Sequence, residues 1–297
     1  MTNDPSILLF FIDGLGIGTR GPHNPLDNLD HAAPLAVFQD EEPESFLEAI
    51  VVPTDPCLGV EGRPQSASGQ TTILTGVNAP AHLGYHKQGF PNQALRDIIQ
   101  EHSIFRQLRD AGVAPITFAN AYTSRFFVER PRWVSATTAA VEAADLQFRT
   151  IDDVRAGNAV FMDYTNRFLI EKGEDVLERT EEEAAIVLAS VVTQHRFTLY
   201  EYFITDKVGH AQDMPLAKVV LTSLAKFIRE LLARLDLEHT TVILTSDHGN
   251  IEDLSSRNHT LNQVPTIIWG AQRERIAVRI KTLADITPAI VSELAQR

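Results

Sequence analysis

The sequence predicts an α/β fold, a three-layer α/β/α core around a mostly parallel sheet, with a small insertion. Three observations predict it. Short apolar runs alternate with longer segments of helical period, the pattern that feeds a parallel sheet. Several runs stop abruptly on Asp beside Gly or His, the chemistry found at the carboxyl ends of parallel strands. A length of 297 residues, 44% of them hydrophobic, supports one large core.

The elements follow in order. Ile7–Ile12 is a continuous apolar run ended by Asp13-Gly14, a buried strand. Residues 19–55 are rich in Pro, Asn and Asp and read as loop. Residues 64–78 begin with small polar side chains and continue as a helix closed by Gly76. Residues 93–111 carry Leu95, Ile98, Ile99, Phe105 and Leu108 on one stripe, with Gly112 at the end, and read as one helix. Residues 115–119 read as a strand. Residues 123–178 show no clean period and form the candidate insertion or cover, with 80–100 as a smaller candidate. Residues 181–194 read as helix and 197–204 as strand. Residues 216–236 form a strongly amphipathic helix, 241–245 and 264–269 are strands, and 286–296 is a helix that holds Pro288 in its first turn. The whole chain, 1–297, reads as a single domain.

Charge narrows the function. The 26 Lys and Arg against 39 Asp and Glu leave a net charge of −13. Nucleic-acid affinity rests on basic patches, so a nucleic-acid partner is not expected. The single cysteine, Cys57, excludes an intramolecular disulfide and a Cys-rich zinc module. The longest apolar run is far below the roughly 20 residues that cross a bilayer. It has Asp4 before it and no basic leader, so a cytoplasmic protein with no membrane partner is expected.

The chemistry gathers at strand ends. Asp13 follows the first strand, Asp206 follows another in Asp206-Lys207-Val208-Gly209-His210, and Asp247-His248 follow a third. His259 comes shortly after. Each motif alone is weak, since Asp-Gly after a strand is usually a turn. Together they supply three Asp and three His, a mixed carboxylate and imidazole set suited to Zn²⁺ or Mn²⁺. That is more than one tetrahedral site needs, so two divalent ions are expected.

These residues resemble the alkaline phosphatase superfamily, and within it the branch of cofactor-independent phosphoglycerate mutases and phosphopentomutases. Asp13-Gly14-Leu15-Gly16 is similar to that branch's opening metal motif. Ser246-Asp247-His248-Gly249-Asn250-Ile251-Glu252 is similar to its Asp-His-Gly-Asn motif. His259-Thr260-Leu261-Asn262-Gln263-Val264-Pro265 resembles the segment that follows, and Leu283–Pro288 resembles the closing helix entry. The resemblance implies an alkaline phosphatase-like fold and a nucleophile at Ser66, which opens a helix in Ser66-Ala67-Ser68-Gly69-Gln70, with Gln70 where the mutases carry His. Ser68, Thr71 and Thr72 are weaker candidates. It further implies one metal site of Asp13, Ser66, Asp247 and His248, and a second of Asp206, His210 and His259. Lys207 and Arg63 are candidate contacts to the substrate phosphate.

The expected activity is hydrolysis of a small-molecule phosphate ester through a phosphoserine on Ser66. The mutases carry a large inserted cap that keeps water from the phosphoserine, and neither candidate insertion here resembles it. A phosphomutase with a reduced cap is the alternative, and an inactive metal-binding relative a second. The metals would supply the positive charge that an acidic chain lacks.

Overall fold

The computed structural model describes residues 4–43 and 45–296. Six strands, β1 (Ser6–Ile12), β2 (Ile50–Thr54), β3 (Ile116–Phe118), β4 (Phe197–Tyr202), β5 (Thr240–Ser246) and β6 (Val264–Trp269), form one sheet. Their order is β2-β6-β5-β1-β4-β3. β1 lies between β4 and β5 and runs parallel to both, and β3 is parallel to β4. β6 is antiparallel to β5, and β2 to β6. The sheet is therefore mostly parallel.

Both faces of this sheet are covered, which is why the central strand β1 reads as a continuous apolar run. Successive side chains of β1 point to opposite faces. Leu8, Phe10 and Ile12 pack with Leu188 of the Glu181–Thr193 helix and with Leu221, Leu224 and Phe227 of the Met214–Leu232 helix. Ile7, Leu9 and Phe11 join Ile73 and Leu74 of the Ser66–Thr75 helix, Phe105 and Leu108, and Ile286 and Ile290 of the Ile286–Leu294 helix. This is the three-layer α/β/α arrangement the alternation predicts.

Four expectations need correction. The 19–55 segment contains β2, an edge strand whose Pro53 is tolerated because one side of the strand has no sheet partner among the described residues. The 93–111 helix is two, Gln93–His102 and Ile104–Asp110, broken at Ser103, whose hydroxyl donates to the Ala140 carbonyl at 2.8 Å. The strand of 197–204 stops at Tyr202, and a helix, Ile204–Ala211, begins at Ile204. The aperiodic 123–178 segment holds four short helices, Ser124–Val128, Ala136–Ala143, Ile151–Arg155 and Arg167–Glu171. Three of them are only five residues long, too short to display a period. Part of this segment has a small cluster of its own, built from Ile151, Val154, Phe161, Met162 and Leu169.

Among the described residues, no helix is long and apolar enough to cross a membrane.

Candidate metal centre

The sheet register brings the predicted site residues together. Ile12 is level with Tyr202 on β4 and with Ser246 on β5. Asp13, the chain after Tyr202, and Asp247-His248 therefore leave three adjacent parallel strands at one edge. Gly14 turns the chain there with φ +77°, and a Cβ in its place would lie 2.9 Å from Asp206 Cβ. Asp206 sits in the first turn of the Ile204–Ala211 helix, and His210 follows one turn later on the same face. Gly69 lets the Ser66–Thr75 helix approach β5, since a Cβ there would meet Asp247 Cβ at 3.0 Å.

Ser66 is the first residue of its helix, and its Oγ lies 3.0 Å from His248 Nε2. The same nitrogen is 3.2 Å from Asp13 Oδ1 and 3.6 Å from Asp247 Oδ2. On the other side, Asp206 Oδ1 is 3.4 Å from His210 Nε2 and 3.5 Å from His259 Nε2, and these two nitrogens are 3.3 Å apart. His248 stands between the two sets. Its ring stacks on that of His259 with centroids 3.6 Å apart. One of its ring nitrogens also lies within 4.8 Å of ligand atoms of Asp206 and His259.

The chemistry of this donor set fits a cation. His259 Nδ1 donates to the Pro64 carbonyl at 2.8 Å, and His210 Nδ1 to the Arg257 carbonyl at 2.6 Å. A carbonyl only accepts, so in each neutral ring Nε2 is left as a lone pair. In that form two lone pairs face each other beside a carboxylate; a proton on His259 Nε2 instead bonds Asp206, and a cation would take its place. Asp13 Oδ1 and Asp247 Oδ2 are buried with no protein hydrogen-bond partner among the described residues. Burial, then the charges of Asp13 and Asp206, push the Asp247 carboxyl well above its usual range. Burial alone would also raise Asp206. Its hydrogen bond with His259, and the charges of His248 and His210, outweigh that and hold it below the usual value. The His259 ring is lowered by burial but raised on balance by Asp206 and Pro64. Orphaned carboxylate oxygens and crowded carboxylates of this kind are relieved by a divalent ion.

Supporting residues fix the set. Gln70 Nε2 donates to Asp13 Oδ2 at 3.1 Å, and Asn250 Nδ2 to Asp206 Oδ1 at 3.1 Å. The buried Glu252 carboxylate accepts from Gly16 N (2.9 Å), Asn250 N (2.7 Å), Thr260 Oγ1 (2.6 Å) and Asn262 Nδ2 (3.1 Å). It thereby ties three site loops to one another.

A family model described as Metalloenzyme superfamily matches residues 135–296, more than half of the chain. The chain belongs to the metalloenzyme superfamily. The match includes Asp206, His210, Asp247, His248 and His259, while Asp13 and Ser66 precede it. A 2,3-bisphosphoglycerate-independent phosphoglycerate mutase from Dinoroseobacter shibae is 30% identical over 118 residues, 37% of this chain and 23% of the mutase. The matched stretch thus spans about a quarter of that relative. Among solved structures, the PH0037 protein of Pyrococcus horikoshii superposes with TM-score 0.54 at 17% identity, over 99% of this chain and 98% of that one. The alkaline phosphatase of the Antarctic bacterium TAB5 gives TM-score 0.51 at 13% identity, over 98% of each chain. The metalloenzyme fold is therefore alkaline phosphatase-like.

The remaining candidates of this metalloenzyme, Lys207 and Arg63, adjoin the cluster in sequence and are exposed. Lys207 is exposed, with its ammonium 5.2 Å from the Phe168 ring centroid and 5.0 Å from that of Phe203. Arg63 is exposed beside Pro64.

Sequence reasoning misses Glu201. It is buried on β4 and lines one cavity with Asp13 and Ser66. The available signal is a lone acid inside the otherwise uncharged strand Phe197–Tyr202. Burial, with the Asp13 charge adding to it, pushes its carboxyl up to about 7 from the ordinary 4.5. The folded metal-free metalloenzyme then holds a proton that the unfolded chain releases near 4.5, so stability falls as pH rises from 4.5 to 7. Glu201→Gln is expected to remove that slope, worth on the order of 3 kcal/mol across the window. Urea midpoints of both proteins at pH 5 and pH 7.5 check it, and identical pH dependence would contradict it.

Proposed function

We propose that this metalloenzyme is a phosphoric ester hydrolase, with Ser66 as the nucleophile. The observation that carries the reading is the position of Ser66 Oγ. It lies at a helix N-terminus, 3.0 Å from His248 Nε2, beside buried carboxylate oxygens of Asp13 and Asp247 that have no other protein partner among the described residues. Asp13, Ser66, Asp247 and His248 would hold one divalent ion, and Asp206, His210 and His259 a second, either Mn²⁺ or Zn²⁺. Such ions would supply Lewis-acid stabilisation of phosphate charge and lower the pKa of the serine hydroxyl and of water.

Ser66 Oγ attacks phosphorus as the P–O bond to the organic group breaks, leaving a phosphoserine that water then hydrolyses. The Ser68 N–H is engaged by the Lys87 carbonyl at 3.2 Å and the Gly69 N–H by the Gln65 carbonyl at 2.8 Å. The N–H groups of Ser66 and Ala67 are the ones free to face an anion at the helix end. A small-molecule ester in a cytoplasmic setting is the expected context.

Water access favours hydrolysis over phosphoryl return. Trp133, which lines the cavity at Ser66, is 47% exposed, and Ser66 itself is only partly buried, which supports access of water to it. A mutase must keep its phosphoserine dry while the substrate turns. The mutase reading draws on the likeness to the Dinoroseobacter shibae protein. Product analysis separates the two: the hydrolase releases one inorganic phosphate per ester consumed. Isomerised sugar phosphate with no free phosphate would reverse the assignment.

A further inference from the structure

The hydrolase reading leaves the organic half of the ester undefined. A cavity of about 560 Å³ opens from Ser66 and Asp13 beneath the 123–178 cover. That size is typical of a small-molecule site. Its walls include Phe90, Phe118, Tyr122, Phe126, Trp133 and Phe203. The ionisable side chains that line it are Asp13, Tyr122 and Glu201, and none of the lining residues is Lys, Arg or His.

Several of the polar groups in these walls are already paired. Asn120 donates to the Glu201 carbonyl at 2.7 Å and accepts from the Glu201 N–H at 2.9 Å. Tyr122 and Ser135 hydroxyls each bond Thr138 Oγ1 at 2.9 Å. Gln70 is held by Asp13 at 3.1 Å. The guanidinium groups nearby face rings from outside the lining. Arg96 and Arg132 lie 5.7 and 5.3 Å from the Trp133 centroid, and Arg130 lies 5.2 Å from that of Phe126 and pairs with Glu142. At the mouth, Phe90 and Trp133 are 51% and 47% exposed, large apolar groups that a ligand would cover.

We propose that this cavity takes the organic part of the phosphate ester, and that this part is an uncharged, apolar alkyl or aryl group rather than a carboxylate or a sugar. The proposal rests on the hydrolase reading for the phosphate end only. A carboxylate would find no Lys, Arg or His among the described lining residues to pair with. A sugar would lose hydration against Phe90, Phe118, Phe126 and Trp133, rings that give its hydroxyls no matching partner.

Ethyl, butyl and hexyl phosphate test it, because their leaving groups are nearly equal in pKa and differ only in apolar surface. With Mn²⁺-loaded protein, kcat/KM is expected to rise roughly threefold to fourfold per added methylene. Hexyl phosphate should exceed both 3-phosphoglycerate and ribose 5-phosphate. Trp133→Ser should cut the hexyl-to-ethyl ratio at least tenfold. A flat series, or a preference for either hydrophilic ester, overturns the proposal.

A second measurement needs no turnover. Of the two tryptophans, Trp269 is fully buried and its Nε1 donates to the Phe46 carbonyl at 2.9 Å, so a ligand-induced change in emission reports Trp133. Hexylphosphonate should saturate that change at a concentration at least tenfold lower than methylphosphonate, and Trp133→Phe should abolish the signal. Tight hexylphosphonate binding without hydrolysis of any ester would sustain the cavity assignment and remove the hydrolase reading. Hydrolysis with equal affinity for both phosphonates would do the reverse.

Discussion

Ser66→Ala is expected to lower phosphate release from an aryl phosphate by at least about 10³-fold while both metal ions remain bound. The substitution deletes only the atom that would bond to phosphorus. It should not disturb the helix, because Ser66 occupies its first turn rather than the capping position, which belongs to Gln65. Alanine is the best helix former. Nor should it empty the site, since Asp13, Asp247 and His248 keep their own donor atoms. Two readouts accompany the rate. Elemental analysis should return wild-type metal content, and acid-quenched enzyme should carry phosphate on Ser66 in the wild type and none in the variant. Wild-type turnover in Ser66→Ala would remove the nucleophile assignment outright. Unchanged labelling would move it to Ser68 or Thr71, whose hydroxyls donate instead to the Gln65 carbonyl at 3.2 Å and the Ala67 carbonyl at 2.6 Å.

Much of the centre is legible because its chemistry sits where strands stop. β1 is a nearly unbroken apolar run and β5 a buried Val242–Leu244 run flanked by Thr and Ser, so the acids that follow them, Asp13 and Asp247, mark the carboxyl edge without any knowledge of the partner strand. Their lateral order is not legible, yet it sets the geometry: β1 lies between β4 and β5 although β4 is distant in sequence. Asp206 illustrates the loss. It reads as the end of a strand, and it proves to belong to the first turn of a helix, which is what aligns it with His210. Gln70 can be seen only as a departure from a motif. In the fold it holds Asp13, a contact that depends on the helix seating against β5. The aromatic cavity is the least legible part. Its walls come from separate stretches with no shared period, so only tertiary packing brings Phe90, Trp133 and Phe203 to one space.

Asp247→Asn is expected to cost the protein at least one metal ion and about 10³-fold or more in turnover, yet to leave the metal-free fold as stable as the wild type or more so. The two halves follow from one observation. Asp247 is fully buried between the charges of Asp13 and Asp206, and its Oδ2 has no protein partner among the described residues. Without metal, that carboxyl is forced toward its neutral form, and an amide of the same shape relieves the strain between like charges. With metal, the amide offers a weaker, uncharged ligand. Thermal unfolding with and without Mn²⁺ should therefore cross over. The wild type gains stability on loading, about 4 kcal/mol per ion at a thousandfold excess over Kd, and the variant gains far less. His210→Ala, at a ring 41% exposed, should lower metal content through the second set while leaving the apo melting temperature nearly unchanged. Full occupancy in both variants, or equal stabilisation by Mn²⁺ in Asp247→Asn and wild type, would contradict the proposed two-ion centre. In that case the crowding of Asp13, Asp206 and Asp247 would have to be relieved by protons alone, and stability would drop steeply as pH rose through the Asp247 transition.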